Sequence, residues 1–445
     1  MRRRKVSLWT VLMGFLVATV AVGYVSRFAM LKWKQAQEVS LILASGGHVE
    51  YDCGLGHLSY EPQAQSEPDW MHSLVGHLLC NVHAVDFDRT LLGNSVVRSV
   101  AWLPQLSSLR ITNSSIESME PLGTMRNLRK LDVSGSRLNC GGFTFLRGLH
   151  NIRDVTLHAT CVTDFDLRHL SGAMSLSTLD LSGTNTTGVG LRFLVRLPQL
   201  QELHLNQTEV SDRTLEHVGE LQSLRHLDVA LTSISDDGVR QLRRCDHLTT
   251  LILDETRITG CAFFWIREFA SLEILSACGT ALNGADLSSL GKLQCLRELY
   301  LTDSGIGDVE LDTIGPLSKL SYLGISGCPV SDEGLKKIGR FGGLKELNLS
   351  ATLVTDRGLK FLTGLKYLEQ LGLSKTAVTA RGLEALRSIE QLSEMSLSLD
   401  SVFDASSLRT LSSLRWLFID ADIADEEKLE AIQRLLPEVH VAYGG

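Results

Sequence analysis

The sequence predicts an α/β solenoid, a chain of repeated units that each contribute one short strand and one short helix. Three observations predict this class. The spacing Leu-x-x-Leu-x-Leu recurs in steps of 24 residues, a hydroxyl side chain follows most copies at a fixed distance, and a Ser/Thr-Asp pair stands before many of the helical stretches. Together they alternate a period-two strand with a short apolar helix throughout the repeats.

The strands are predicted by the second apolar position of the spacing, which we call the anchor. It is leucine in nine consecutive units, and degenerate copies extend the series in both directions with a few steps of 22 residues. Side chains alternate along a strand, so the residues directly before and after an anchor are predicted to face out of the core. The anchors are Val85, Leu109, Leu131, Val155, Leu179, Leu203, Leu227, Leu251, Leu275, Leu299, Leu323, Leu347, Leu371, Met395, Leu417 and Val439. About sixteen units therefore cover residues 83–443.

Two polar features separate each predicted strand from its helix. Five positions after the anchor most units carry Thr or Ser, as at Thr256, and these hydroxyls are predicted to satisfy backbone groups where the chain leaves the sheet. Eight and nine positions after the anchor, pairs such as Thr355 and Asp356 are predicted to cap the helix. Leu359 and Leu362 are then predicted to bury that helix, so its charged residues need no catalytic role.

These features resemble the leucine-rich-repeat family, in a bacterial 24-residue form close to the ribonuclease-inhibitor-like and cysteine-containing classes. The stretch LEQLGLSKTAVTARGLEAL, residues 368–386, is a clear example. The resemblance covers roughly four fifths of the chain. It implies a right-handed horseshoe with a parallel sheet on the concave face and short helices on the convex face.

Residues 1–35 are predicted to be a basic segment followed by a transmembrane signal anchor. Val6–Val25 carries no charge, and 20 residues of helix span about 30 Å, the thickness of a bilayer's hydrocarbon core. Arg2–Lys5 precedes this stretch and favours a cytoplasmic N-terminus, which places the repeats outside the cytoplasm. Secretion after signal-peptide cleavage is the alternative, because Ala21 to Gly23 is a possible cleavage site.

Residues 36–82 are predicted to form an N-terminal cap. ILASGGHVEYD predicts a strand and PDWMHSLVGHLL an amphipathic helix, and the block resembles the cap of exported or membrane-anchored bacterial leucine-rich-repeat proteins. In or beside it lie His48, His57, His72, His77, His83, Cys53 and Cys80. A disulfide between the two cysteines stays open. No metal, cofactor or catalytic residue is predicted, because the CxxC, HExxH, GxSxG and phosphate-loop patterns are missing.

The C-terminal stretch DEEKLEAIQRLLPEVHVAYGG is predicted to close the repeats with a last helix and a strand near Val439 to Val441. A terminal repeat needs such a cover because its apolar side would otherwise face water. Within the repeats, Cys245 and Cys328 occupy columns that are predicted to be buried.

The outward positions of the predicted sheet supply the candidate binding residues. Acidic side chains dominate its N-terminal half, where they form either a solvated face or a docking surface for a basic partner. Apolar and aromatic side chains from four consecutive strands predict one patch further along. The predicted partner-binding residues are Ile252, Ile274, Tyr300, Tyr322, Trp416, Phe418, Asp132, Asp180 and Asp228.

The sequence therefore predicts a non-enzymatic scaffold that is tethered to a membrane through residues 6–25 and binds a protein or peptide on its concave face. Residues 1–35 hold seven basic and no acidic side chains, which leaves 36 basic against 51 acidic residues in the remainder. A body with this charge of −15 disfavours nucleic acid as a partner. Two alternatives stay open: a cytosolic adaptor or enzyme inhibitor of ribonuclease-inhibitor-like type, and an enzyme with an unrecognised site in the cap. The oligomeric state is open.

Overall fold

The computed structural model describes residues 8–52, 57–60, 81–138, 142–398, 407–420 and 426–443. It confirms the α/β repeat architecture, in which a short strand, a tight turn and a short helical segment follow one another along the repeats. The chain divides into two compact units, the first made of residues 1–162 and 166–179 and the second of residues 163–165 and 180–445.

The first unit opens with a single long helix, α1 (Leu8–Ala44). We expected the cap to begin at residue 36, and α1 continues through that position to Ala44, since neither glycine nor proline lies between Gly23 and Gly46. The boundary of the cap stays a prediction. Val39 and Ile42 are fully buried, and the helix ends where Gly46 takes a left-handed φ of 81°. The last turns of α1 therefore belong to the folded cap.

The predicted membrane span lies before the first residue of α1 whose side chain the structure describes. Within the described part of the chain, no helix combines the length and the apolarity that a bilayer crossing needs. The span Val6–Val25 falls on residues whose side chains lie outside that part, since the side chains of α1 are described from Ser26 onward. The membrane anchor therefore stays a prediction.

The strands of the first unit include the predicted cap strand, which is β1. It pairs antiparallel with β2 and β3, and β3, β5, β7 and β8 then pair in parallel order. The strands are β1 (His48–Asp52), β2 (His57–Tyr60), β3 (Asn81–Asp88), β4 (Leu91–Leu92), β5 (Ser108–Thr112), β6 (Ser115–Ile116), β7 (Lys130–Asp132), β8 (Asp154–Thr156) and β9 (Thr178–Asp180). The predicted helix in PDWMHSLVGHLL, with His72, His77, Cys53 and Cys80, lies outside the described residues.

The strands of the second unit form one parallel run in which every anchor pairs with the next. They are β10 (Glu202–His204), β11 (His226–Asp228), β12 (Thr250–Ile252), β13 (Ile274–Ser276), β14 (Glu298–Tyr300), β15 (Tyr322–Gly324), β16 (Glu346–Asn348), β17 (Gln370–Gly372), β18 (Glu394–Ser398), β19 (Trp416–Asp420) and β20 (His440–Tyr443). The last anchor is Val441, which pairs with Leu417, and not Val439 as the 22-residue step suggested.

The helical segments are short, and several are 3₁₀ rather than α. The α-helices after α1 are α2 (Asn94–Trp102), α3 (Leu215–Val218), α4 (Asp236–Gln241), α5 (Phe263–Ile266), α6 (Asp308–Thr313), α7 (Asp332–Ile338), α8 (Ala380–Leu383) and α9 (Glu426–Leu435). The 3₁₀ segments are Glu120–Thr124, Gly142–Gly148, Asp166–Leu170, Val189–Phe193, Leu242–Arg244, Gly260–Ala262, Ser288–Lys292, Leu359–Gly364, Glu384–Ser388 and Ser407–Thr410. The predicted C-terminal helix and strand are confirmed as α9 and β20.

The hydroxyl ladder closes the turn after most of the repeat strands, as predicted. Thr208 Oγ1 donates to the carbonyl oxygen of Leu205 at 2.6 Å, and Thr256 Oγ1 donates to Leu253 at the same distance. The residue before each threonine has a left-handed backbone, with φ of 56° at Gln207, which the sequence did not predict. This conformation turns the chain sharply enough for the hydroxyl to reach the carbonyl three residues back.

The Ser/Thr-Asp pairs work differently from the prediction, because each aspartate binds the following repeat. Asp332 accepts the backbone N–H of Thr355 at 2.8 Å through Oδ1 and the Thr355 hydroxyl at 2.7 Å through Oδ2. Thr355 Oγ1 in turn accepts from the backbone N–H of Arg357 at 3.3 Å, so the threonine alone caps the helical segment. The same bridge joins Asp212 to Ser235, Asp236 to Thr259, Asp308 to Ser331 and Asp356 to Thr379.

The predicted core positions are confirmed. Leu359 and Leu362 are fully buried on the helical side of their repeat. Cys245 and Cys328 are buried free thiols, and burial raises the pKa of Cys245 to about 12. These two cysteines therefore act as small apolar packing residues.

Candidate functional site

The exposed sheet face of the second unit carries two columns of side chains, one directly before and one directly after the anchors. In the column before the anchor, Glu298, Tyr322 and Glu346 lie side by side on β14, β15 and β16. Gln370 and Glu394 continue it on β17 and β18. Neighbouring strands are about 4.8 Å apart, so residues 24 apart in sequence become direct neighbours.

The column after the anchor has small side chains in its middle and aromatic side chains at both ends. From β14 to β19 it reads Tyr300, Gly324, Asn348, Gly372, Ser396 and Phe418. The Tyr322 ring lies over Gly324, where an added Cβ would stand 3.0 Å from ring atoms. The small residues form a floor over which a ligand backbone can approach the sheet.

Aromatic pairs stand at the two ends of this floor. The ring centroids of Tyr300 and Tyr322 are 4.4 Å apart, and the Tyr300 hydroxyl donates to Glu298 Oε2 at 2.8 Å. At the other end the Trp416 and Phe418 rings are nearly parallel, with 6.3 Å between centroids. Trp416 is 43% exposed, and the other three rings are half-buried, so each keeps a surface for contact.

The floor and the aromatic ends enclose a shallow cavity, which we call the sheet-face groove. Its volume is about 200 Å³. It is lined by Tyr322, Glu346, Leu347, Asn348, Gln370, Leu371, Gly372, Glu394, Met395, Ser396 and Phe418. Four strand spacings separate Tyr322 from Phe418, a length of roughly 19 Å.

The groove is acidic. Burial raises the pKa of Glu346, and the carboxylates of Glu298, Glu369 and Glu394 raise it further. Lys345, whose charge opposes this rise, is held by Glu369 with its Nζ 3.1 Å from Oε1. The two outward columns from β10 to β20 contain neither lysine nor arginine. The arrangement therefore attracts a positively charged group and repels an anion.

The structure brings some of the predicted site residues together and separates others. Tyr322 and Phe418 line the two ends of the groove, and Tyr300 and Trp416 stand beside them in ring contact. Ile252 and Ile274 lie half-buried on the adjacent strands β12 and β13, with the buried Ser276 between Ile252 and Tyr300 in their column. Within the predicted patch of Ile252, Ile274, Tyr300 and Tyr322, the ring contact is the one between Tyr300 and Tyr322.

The three predicted aspartates each serve a local turn. In Asp132, Asp180 and Asp228, Oδ1 accepts the backbone N–H two residues further on, at 2.9, 2.8 and 2.9 Å respectively. Asp228 also lies 3.9 Å from His204 Nδ1, and its interaction with that ring raises the pKa of His204. These backbone hydrogen bonds are enough to explain why the three positions are acidic, with no need for a binding partner. Their part in binding stays a prediction.

Two stretches within the repeats match a known family of sequences. Residues 220–242 and 317–339 match a family model described as leucine-rich repeat. These two stretches are therefore similar to leucine-rich repeats, and the neighbouring described units share their strand register. A comparison with curated proteins gave no match.

Solved structures confirm the leucine-rich-repeat solenoid fold, with its parallel sheet and short helices. An internalin from Listeria monocytogenes is 18% identical, with 69% of this chain and 86% of that chain covered and a TM-score of 0.53. A leucine-rich-repeat protein from Leptospira interrogans is 18% identical, with coverage of 85% and 93% and a TM-score of 0.56. The ectodomain of the Arabidopsis thaliana membrane receptor kinase GASSHO1/SCHENGEN3, in complex with Casparian strip integrity factor 2, is 19% identical, with coverage of 80% and 44% and a TM-score of 0.50.

Proposed function

We propose that the protein is a non-enzymatic scaffold, tethered to a membrane with its repeats outside the cytoplasm, that binds a basic segment of a protein or peptide in the sheet-face groove. One observation carries this proposal. Aromatic rings stand at both ends of a floor of small residues, and the carboxylates of Glu346 and Glu394 line the space between them.

The dimensions of the groove suit an extended peptide. A length of roughly 19 Å corresponds to about six residues at 3.3 Å each. Aromatic side chains in a partly enclosed site are the usual anchors of protein interfaces. The carboxylates of Glu298, Glu346 and Glu394 stand on every second strand, about 9.6 Å apart, and alternate side chains of a ligand strand repeat every 6.6 Å or so. Lysine or arginine side chains of the ligand can reach these carboxylates and pack on the tyrosine faces.

The chemistry of the groove favours binding over catalysis. Burial raises the pKa of Tyr300, and its bond to Glu298 raises it further, so the phenol stays protonated. Glu346 lies among carboxylates rather than beside a nucleophile or a histidine in the groove lining. The groove therefore presents charge and rings without an activated group.

Membrane tethering is supported by the shape and surface of α1. The helix is unbroken from Leu8 to Ala44, so the apolar sequence before Ser26 is continuous with the folded cap. Phe28, Met30 and Trp33 are large exposed apolar side chains just beyond that sequence, at 48%, 68% and 64% exposure. Exposed rings next to an apolar helix are typical of a membrane interface. The plant ectodomain of the same fold, solved with a bound factor, gives further support to ligand binding by a tethered repeat domain.

A peptide-display library panned on the full chain in lipid nanodiscs tests the proposal. We expect wild-type protein to enrich extended peptides rich in Lys and Arg with an aromatic residue. The double variant Glu346→Gln, Glu394→Gln keeps the shape of the groove and loses its charge, so this enrichment should disappear. Equal enrichment by both proteins, or selection of acidic peptides, would overturn the proposed function.

A further inference from the structure

A second cavity lies within the first unit and differs in charge from the groove. Its volume is about 460 Å³, and apart from the buried Val82 every side chain that lines it can form hydrogen bonds. Two arginines, Arg129 and Arg153, contribute the positive charge, and Asp52 is the only carboxylate among its described lining residues. The size falls in the range of small-molecule sites.

The two arginines are neighbours on adjacent repeats. Each stands two positions before its anchor, at the entrance to β7 and β8, and the backbone N–H of Arg153 donates to the carbonyl oxygen of Arg129 at 2.8 Å. Both side chains are exposed. Neither forms an ion pair with a carboxylate among the residues that the structure describes.

Elsewhere in the same column, two basic residues have an acidic neighbour, whereas Arg225 stands alone between Gln201 and Thr249. In the second unit Arg297 Nε lies 3.5 Å from Glu273 Oε2, and Lys345 Nζ lies 3.1 Å from Glu369 Oε1. Each of these acids stands on an adjacent repeat, at the equivalent position. The positions that flank Arg129 and Arg153 are serines instead, Ser107 and Ser177. The column therefore holds two adjacent cations here without the compensating acid that it has further along.

Hydrogen bonds fix the backbone around the arginines. The Asn127 side chain donates to the carbonyl oxygen of Pro104 at 2.7 Å, and the Asn151 side chain donates to that of Arg126 at 2.8 Å. On one side of the cavity Ser107 Oγ lies 3.0 Å from His83 Nδ1. The loops that carry Arg129 and Arg153 are thus held before any ligand arrives, which lowers the entropy that binding must overcome.

We propose that this cavity binds a phosphate group, held between the guanidinium groups of Arg129 and Arg153. Neighbouring strands are about 4.8 Å apart, so two guanidinium groups on adjacent repeats can contact opposite edges of one tetrahedral anion. Each planar guanidinium offers paired N–H donors that match two phosphate oxygens. The remaining space and the amide and hydroxyl lining suit the polar remainder of a small phosphate ester.

Isothermal titration calorimetry on the full chain tests this site, with inorganic phosphate and glycerol 3-phosphate as probes at constant ionic strength. We expect saturable binding of both, with glycerol 3-phosphate tighter because the polar lining contacts its hydroxyls. Arg129→Gln and Arg153→Gln should each weaken binding at least about tenfold, since each removes a charge-assisted pair of hydrogen bonds. Arg225→Gln is the matched control, because Arg225 is a lone arginine of the same column, and its affinity should equal that of wild type.

A second variant leaves both arginines in place. Ser177→Glu supplies the flanking acid that the column has beside Arg297, and it should weaken phosphate binding by a similar factor while circular dichroism stays unchanged. Binding of inorganic phosphate without binding of glycerol 3-phosphate would restrict the ligand to the free anion and would contradict a phosphate ester as the ligand. Absence of saturable binding, or equal losses in the Arg225→Gln control, would overturn the site itself and would leave the groove proposal untouched.

Discussion

The aspartate bridge between repeats predicts an unusual coupling between Asp332 and Gly358. An added Cβ at Gly358 would lie 2.4 Å from Asp332 Oδ1, well inside van der Waals contact. The Gly358 backbone is ordinary helix, with φ of −74° and ψ of −32°, so its conformation does not require glycine. The carboxylate of the preceding repeat is therefore the reason that glycine follows the Ser/Thr-Asp pair by two positions.

The magnitude of the coupling follows from these contacts. Gly358→Ala in wild type forces the carboxylate aside and should destabilise the protein by about 1–3 kcal/mol. Asp332→Ala alone removes two hydrogen bonds to a charged group. We expect it to destabilise the protein by only about 2 kcal/mol, because these bonds are half-buried and water can partly replace them. In the Asp332→Ala background only the contact of the added Cβ with Leu335 Cδ1, at 2.9 Å, remains. Gly358→Ala should then be nearly neutral, because the helix gains about 0.5–1 kcal/mol and the Leu335 side chain must shift slightly. The two changes are thus expected to couple by about 1–3 kcal/mol.

Urea unfolding of the four proteins, followed by circular dichroism, measures this double-mutant cycle. Gly342→Ala is the matched control, because an added Cβ there meets no atom within 4 Å. It should shift the midpoint little in either background. Additive effects of Asp332→Ala and Gly358→Ala, within about 0.5 kcal/mol, would refute the reasoning.

Three further predictions concern the turn, the groove and the anchor. Thr256→Val removes the hydroxyl bond to Leu253 and should lower the free energy of unfolding, measured in urea, by about 1 kcal/mol. Thr256→Ser keeps the hydroxyl and should retain most of that stability. Equal losses in the two variants would contradict a stabilising role for the hydroxyl. Because the pKa of Glu346 is raised in the folded state, its ionised form destabilises the fold above that pKa, and the penalty vanishes as pH falls to the ordinary value of 4.5. Glu346→Gln should therefore raise the urea midpoint at pH 7 and leave it nearly unchanged at pH 4. An equal shift of the midpoint at both pH values would contradict a raised pKa of Glu346 in the folded state. Deletion of residues 1–25 should move the protein from the membrane to the soluble fraction, and a full-length chain already in the soluble fraction would favour the cytosolic alternative.

Periodicity predicted the fold well because it reports directly on burial. The leucine anchors, the hydroxyl ladder and the buried helix positions each repeat with one residue type, and the structure confirms them. The left-handed residues were missed because side chains as different as Gln207 and Leu231 occupy that position, so residue type gives little signal. The continuation of α1 to Ala44 was not foreseen, because the sequence analysis assigned a strand and a helix to the cap and no helix to its first residues.

The candidate sites were harder to predict than the fold, since both depend on neighbours that are far apart in sequence. Gly324 and Gly372 were visible as small residues of the outward column, but their meaning depends on the rings that stand beside them. The cavity of the first unit required knowing that Arg129 and Arg153 face a common space without a flanking acid. The aspartate bridge was misread because an N-cap pattern within one repeat looks the same as a bond to the next repeat.

The central claim is that the sheet-face groove binds a basic segment, and one affinity measurement tests it most directly. A Lys/Arg-rich peptide selected on wild-type protein is titrated into wild type, into the double variant Tyr300→Ala, Tyr322→Ala, and into Tyr367→Ala, an exposed tyrosine outside the groove at 57% exposure. The double variant should fold normally, because both rings lie on the exposed face, and should lose affinity about thirtyfold or more. Tyr367→Ala should bind like wild type. Equal affinity of the three proteins would contradict the account.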